Sequence, residues 1–151
     1  MKINTLDIII IKWLQKSFLP FARIAIFVIY FYFGALKLFG QSPATPLATS
    51  LAANTFGLQH FDLMYKILAI FECLIGILFL FPKAIRIVIP MLFVHLIIVC
   101  LPLLLIPHLV WVKPLVPTLE GQYVIKNIAI IALAIGIAAQ TKPLVKKSLN
   151  R

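Results

Sequence analysis

The feature that most restricts how this chain can fold is an apolar run from Ile87 to Val112 that contains no Asp, Glu, Lys or Arg. A transmembrane helix needs about 20 consecutive apolar residues, and this run exceeds that length. Three further apolar segments are nearly as long, and 63% of the 151 residues are hydrophobic. A core of this size cannot hide so much apolar surface from water. The sequence therefore excludes a water-soluble globule and predicts an integral membrane protein.

Four membrane-spanning helices are predicted, and together they form a single membrane domain over residues 1–151. They cover approximately residues 18–39, 63–81, 87–106 and 123–139. Because open sheets leave backbone groups without partners in lipid, we expect an all-α four-helix bundle with no strands. Two longer extracytoplasmic loops, residues 40–62 and 107–122, connect the spans in pairs. In the first loop, Thr45 as N-cap and Pro46 at N1 predict a short helix over residues 47–54.

An interfacial helix is predicted before the first span, over approximately residues 5–19. Ile8–Ile11 contribute to a broad apolar side, whereas Lys12 and Lys16 lie one turn apart on the other side. A helix of this kind lies in the plane of the membrane interface. We expect Pro20 to end it, because proline removes a backbone donor and its ring clashes with the preceding turn.

The distribution of basic residues predicts the orientation of the bundle. Of the 14 Lys and Arg residues, ten lie in the N-terminal segment, in the 82–86 turn or in the C-terminal tail. The other four, Lys37, Lys66, Lys113 and Lys126, lie on the opposite side. Since cytoplasmic loops carry the excess of positive charge, both termini are expected in the cytoplasm. The net charge of +10 is then explained by orientation, so lipid and not nucleic acid is the expected partner.

Glu72 is the first candidate for a functional residue, because an ionisable group at membrane depth is costly. It lies nine residues from either end of the second predicted span. His95 is expected at the same level on the antiparallel third span. Two interpretations stay open: a neutral Glu72 that holds two helices in register through a hydrogen bond, or a site for a proton or a quinol headgroup.

Small residues at helical spacing mark the faces on which the spans are expected to pack. Ala69 and Gly76 share a face with Glu72, which is therefore expected to point into the bundle. The corresponding packing residues of the first and fourth spans are Gly34, Ala129 and Gly136.

The first and fourth spans add polar residues to this predicted interior. They are Tyr30 and Lys37 on the first span and Gln122 and Lys126 on the fourth. Each lysine could carry its ammonium toward Glu72 or up to Glu120, or its stem could instead snorkel to the outer phosphates, and these alternatives stay open. Together with Glu72 and His95, these four residues make up the predicted ligand or proton site.

Metal and haem sites receive little support from the sequence. Haem between helices needs two axial ligands at matching depth, and His95 is the only histidine within a predicted span. His60, His108 and Glu120 follow no recognised metal-ligand spacing. Cys73 and Cys100 are expected at different depths, as packing residues without a disulfide. We therefore expect no metal, no haem and no catalytic residue.

Several short motifs, taken together, resemble the DoxX-like family of small bacterial membrane proteins. They are Phe33–Lys37 in the first span, Phe71–Leu78 in the second, Arg86 before the third and Glu120–Asn127 at the start of the fourth. The resemblance covers the four spans in order. It implies a four-helix bundle of the bacterial inner membrane in a quinone-linked redox or oxidative-stress context, and it implies no catalytic residue.

These observations predict an auxiliary subunit without catalytic activity of its own. It would bind a membrane oxidoreductase subunit, or a quinone-like lipid, through the inward polar face around Glu72. The alternative is a proton-coupled carrier or channel, for which four spans would have to associate as a homo-oligomer. A purely structural membrane bundle is the third interpretation.

Overall fold

The computed structural model describes residues 2–141, with the side chains of residues 5–141, and helices dominate it. In chain order the helices are α1 (Lys2–Leu38), α2 (Thr45–Ala53), α3 (Phe61–Phe79), α4 (Ile85–Cys100), α5 (Pro102–Leu105), α6 (Pro107–Val110), α7 (Leu119–Ile125) and α8 (Asn127–Ala139). A 3-10 turn, Pro82–Ala84, joins α3 to α4. The tail residues that support the predicted orientation, Lys142, Lys146, Lys147 and Arg151, lie outside the described residues.

Three helical segments are long and apolar enough to cross a membrane. They are Thr5–Leu38, Pro82–Leu105 and Leu119–Ala139. The protein is therefore a helical membrane protein, as the composition predicts. The remaining long helix, α3, has 19 residues. It is continuous, but its apolar sequence contains the ionisable side chains of Asp62, Lys66 and Glu72.

The N-terminal part of the chain differs from the prediction, because α1 is one helix of 37 residues with Pro20 inside it. The prediction that a separate helix ends at Pro20 is wrong. Proline removes a single backbone hydrogen bond, whereas ending the helix there would leave several backbone groups without partners in an apolar surrounding. At 1.5 Å per residue, α1 is about 55 Å long, nearly twice the hydrocarbon thickness of a bilayer. Residues 5–16 of this long helix are exposed.

Four helices enclose the apolar core. Helix α1 packs along α3 in the most extensive contact, α3 packs on α4, α4 on α8, and α8 returns to α1. The fully buried side chains between them are mainly branched or aromatic: Ile26, Ile75, Phe79, Val88, Leu92, Ala134 and Ile137. This arrangement places one face of α3 at the centre of the molecule.

Glycines allow α1 and α3 to approach each other at backbone distance. A Cβ atom at Gly34 would lie 2.9 Å from the carbonyl oxygen of Ala69, and one at Gly76 would lie 2.8 Å from the backbone nitrogen of Phe31. Gly136 on α8 instead faces a side chain. A Cβ atom at Gly136 would lie 3.1 Å from the ring of Phe18. Gly34 and Gly76 therefore mark a long, close packing contact between α1 and α3.

Ala129 does not lie on the packing face of α8 to which the sequence assigned it. It is exposed, whereas the buried face of α8 is formed by Ala134 and Ile137. Ala129 precedes Ala134 by five residues, which is a rotation of about 140° around a helix. The side chains of Ala129 and Ala134 therefore point in different directions. The prediction for Ala129 is wrong for this reason.

The first loop contains the short helix that the sequence predicts, beginning two residues earlier, and the second loop contains more structure than the sequence predicts. Helix α2 begins after Ala44, so Thr45 is not its N-cap, and the Thr45 hydroxyl donates instead to the Ser42 carbonyl oxygen. In the second loop, β1 (Trp111–Lys113) pairs antiparallel with β2 (Val116–Pro117). The prediction of no strands is therefore wrong in this loop, where three prolines prevent a continuous helix.

Candidate functional site

Four polar side chains from three helices form one continuous hydrogen-bonded chain in the core. The Lys37 ammonium donates to Oε2 of Glu72 at 2.6 Å. The other carboxylate oxygen, Oε1, lies 2.8 Å from Nε2 of His95. The Tyr30 hydroxyl lies 3.3 Å from Nδ1 of the same imidazole. Tyr30, His95, Glu72 and Lys37 are called the polar chain below.

The polar chain is buried at Tyr30, His95 and Glu72 and partly buried at Lys37. Tyr30 is 4% exposed, and Glu72 and His95 are each 5% exposed. The Lys37 side chain, at the end of the chain of contacts, is 9% exposed. Each of these ionisable groups has a hydrogen-bond partner, as buried polar groups require.

Local helix geometry explains why these four residues meet. Gly34 brings α1 against α3, and Lys37 follows it three residues later on the same face of α1. Its stem therefore has only a short distance to span before the ammonium reaches Glu72. Lys37 also lies in the last turn of α1, where the helix dipole favours a cation. Glu72 and His95 face each other because α3 and α4 are antiparallel and joined by a short turn.

The hydrogen-bond directions follow from the chemistry of the groups. An ionised carboxylate only accepts, so His95 Nε2 donates to an ionised Glu72. The Nδ1 atom of a neutral imidazole then accepts, and the Tyr30 hydroxyl donates to it. The charges of Lys37 and Glu72 cancel. A paired and hydrogen-bonded arrangement of this kind is the condition under which a buried charge is tolerated.

The same arrangement can accept one proton without losing a bond. If His95 becomes an imidazolium, Nδ1 turns into a donor, and the Tyr30 hydroxyl can rotate to accept from it. Glu72 then pairs with two cations, one on each carboxylate oxygen. The polar chain thus has the chemistry of a proton-holding site.

Two of the predicted site residues do not join the polar chain. Gln122 and Lys126 are exposed, and the Lys126 ammonium lies over the Tyr123 ring, 5.2 Å from its centroid. Helix α7 ends at Ile125, and its buried side carries Gly121 and Val124. The prediction of an inward position for Gln122 and Lys126 is therefore wrong.

Residues considered for metal or disulfide chemistry are dispersed. Within residues 2–141, no three His, Cys, Asp or Glu side chains come together as a metal site. Cys73 and Cys100 are both free thiols. Cys73 packs at the α1–α3 contact, with its sulfur 3.7 Å from the Phe31 carbonyl oxygen.

A second polar contact near the polar chain is absent from the sequence-based prediction. The Thr45 hydroxyl on α2 and the Tyr65 hydroxyl on α3 lie 3.1 Å apart. Tyr65 precedes Glu72 by seven residues, so both lie on one face of α3. That spacing is the signal in the sequence that could have found Tyr65.

Comparison of the chain with protein-family models, with curated proteins and with solved structures finds no match. What this protein can do chemically therefore has to be inferred from the polar chain and from the apolar helices that hold it.

Proposed function

We propose that the protein is an auxiliary subunit of a bacterial inner membrane, DoxX-like in kind, that works beside a quinone-linked oxidoreductase. The observation that carries this proposal is the polar chain, a buried set of groups that can take up one proton. Oxidation of a quinol to a quinone releases two electrons and two protons. Both electrons would go to the redox group of the oxidoreductase. His95 and Glu72 would receive one proton, and the second proton would go to water at the membrane surface.

The proposal includes α3 as a fourth membrane span. Its 19 residues extend about 28 Å, close to the thickness of the hydrocarbon core. Asp62 and Lys66 lie in its first two turns, near the headgroups, and Glu72 is paired with Lys37. Crossing the bilayer would therefore leave no unpaired charge of α3 in lipid.

Both termini are proposed to face the cytoplasm, because ten basic residues lie on that side and four on the other. A reporter that is active only in the cytoplasm should be active when fused after Arg151. The matched fusion within the first long loop, after Gly57, should be inactive. Activity of a periplasmic reporter at Arg151 would contradict this orientation.

The proposed association with quinone is tested by purification from native membranes in a mild detergent. We expect extracted quinone, or oxidoreductase subunits identified by mass spectrometry, in a fixed ratio to the protein. Glu72→Gln should lower the quinone content at least ten-fold, whereas Lys126→Met, which changes a lysine outside the polar chain, should leave it unchanged. Wild-type protein that repeatedly carries neither quinone nor partner would contradict the proposal.

A proton-coupled carrier is the second candidate, and one observation favours it: Glu72 contacts two basic side chains through different oxygens. A carboxylate in that position can take up a proton when a substrate displaces one of its basic partners, and release it when the partner returns. Proteoliposomes loaded with a pH-sensitive dye would show substrate-dependent proton movement that Glu72→Gln abolishes. If Glu72→Gln changes neither quinone content nor proton movement, the polar chain is structural only.

A further inference from the structure

We propose that Glu72 exchanges protons with water on one side of the membrane only, the side on which α2 lies. This inference rests on the proposed proton-holding role of the polar chain. It adds a direction to that role, because it assigns an open end and a closed end to the interior of the bundle.

Three residues on one face of α3 allow the access of water to be compared along the interior of the bundle. Tyr65, Glu72 and Phe79 follow each other at intervals of seven residues, and therefore lie on one face about 10 Å apart. Tyr65 is half-buried toward α2, Glu72 is in the middle, and Phe79 is fully buried near the Pro82–Ala84 turn.

The α2 end of this face is polar. Lys37 is the penultimate residue of α1, and its ammonium contacts Glu72 from that end. Beyond it, the Thr45 hydroxyl contacts the Tyr65 hydroxyl, and the Ser42 hydroxyl accepts from the backbone nitrogen of Ala44. Hydroxyl and ammonium groups can order water and pass protons, so this end offers a route with polar steps.

The turn end of the same face is closed by apolar side chains. Ile26, Phe79 and Val88 are each 0% exposed, and they come from α1, α3 and α4. These three side chains offer a proton no hydrogen-bonding group, and an apolar layer of this kind disfavours water. Beyond Ile26, the Nε atom of Arg23 is buried and has no hydrogen-bond partner among the described residues. Arg23 lies two helical turns below Tyr30, beyond Ile26, and its positive charge adds an electrostatic barrier to cations on that side.

The positions of the charged and titratable groups around Glu72 are consistent with proton access from the α2 side. Helix α1 contributes Tyr30 and Lys37, α4 contributes His95, and Cys73 is the neighbour on α3 itself. Helix α2 contributes hydroxyl groups and no ionisable side chain. Lys37 is the group of this set nearest to the α2 end, and its stem can move away from Glu72 without disturbing the His95 contact.

Cysteine accessibility tests the proposal. In a background with Cys73→Ala and Cys100→Ala, we would compare Tyr65→Cys, Glu72→Cys and Phe79→Cys in sealed vesicles of both orientations. A charged, membrane-impermeant methanethiosulfonate is the probe, since it modifies thiols that water reaches. We expect Tyr65→Cys to react fastest from the α2 side, and Glu72→Cys to react at least ten-fold faster from that side than from the other. Phe79→Cys should react from neither side.

Two further variants control for structural damage caused by the substitutions at Glu72 and Phe79. Lys37→Cys keeps Glu72 in place and should show the same preference for the α2 side, and Val88→Cys, a change of nearly equal volume in the closed layer, should stay unmodified. Equal or faster modification of positions 37 and 72 from the turn side, or no modification of them from either side, would overturn the proposal. The result is independent of quinone content, so a failure here is distinguishable from a failure of the proposed redox role.

Discussion

The two inner lysine positions suggested by the sequence, Lys37 on α1 and Lys126 after α7, have opposite environments in the structure. The Lys37 side chain is 9% exposed and paired with Glu72. Lys126 is exposed and lies over an aromatic ring. Both residues lie near small residues at helical spacing, so the difference comes from what lies opposite each helix.

The α1–α3 contact differs from the contacts of α8 in how close the backbones come. Gly34 and Gly76 lie on facing helices, and each meets backbone atoms of the other helix. Gly136 has no such counterpart and meets the end of a flexible ring. For the long helices α1, α3 and α8, glycines on both facing helices therefore accompany the closer backbone approach. Close packing in turn decides which lysine reaches the carboxylate.

The largest expected effect comes from separating Lys37 and Glu72. Lys37→Met leaves Glu72 with His95 alone, and Glu72→Gln leaves a buried ammonium without a counter-charge. Removing one partner of a buried pair costs about 3–5 kcal/mol. We expect each single variant to lower the free energy of unfolding in mixed detergent micelles by about that amount.

The double variant Lys37→Met with Glu72→Gln provides the decisive measurement. It buries no charge, so it should recover most of the stability lost in either single variant. Lys126→Met is the matched control and should change stability by less than about 0.5 kcal/mol. Additive losses in the double variant would show that the ion pair contributes no coupling.

The next largest expected effect is a difference in stability between two alanine variants, Gly76→Ala and Gly136→Ala. Gly76→Ala places a methyl group 2.8 Å from the backbone nitrogen of Phe31, so α1 and α3 must move apart. Overpacking of this kind costs about 1–3 kcal/mol. Gly136→Ala meets only the ring end of Phe18, which can move, and it gains up to about 1 kcal/mol of helix propensity.

Thermal or detergent unfolding of the two alanine variants would check this contrast. Gly76→Ala should be clearly less stable than the wild type, and Gly136→Ala should be equal to it or slightly more stable. Equal losses in both variants would mean that the α1–α3 contact is no tighter than the packing of α8 on α1.

The sequence predicts the Glu72–His95 contact because counting residues from a short turn fixes the level of each on antiparallel helices. It does not predict which lysine pairs with Glu72, since that depends on a helix separation set by Gly34 and Gly76, which are 42 residues apart in the chain. It also misplaces the helix end at Pro20, because local propensity favours a break and the apolar surrounding of the backbone outweighs it. Local pattern therefore identifies the polar residues, and long-range packing selects among them.

The smallest expected effect concerns Tyr30, which completes the polar chain through a long contact to His95. Tyr30→Phe removes the hydroxyl and leaves Nδ1 of a neutral His95 without a donor, while the bonds of Glu72 remain. A net loss of about 1 kcal/mol in the free energy of unfolding is expected for one such hydrogen bond. Tyr32→Phe is the matched control, because Tyr32 lies on the same helix with 56% of its surface exposed, and it should leave stability unchanged. If both variants are equally stable, Tyr30 contributes no hydrogen bond, and the polar chain ends at His95.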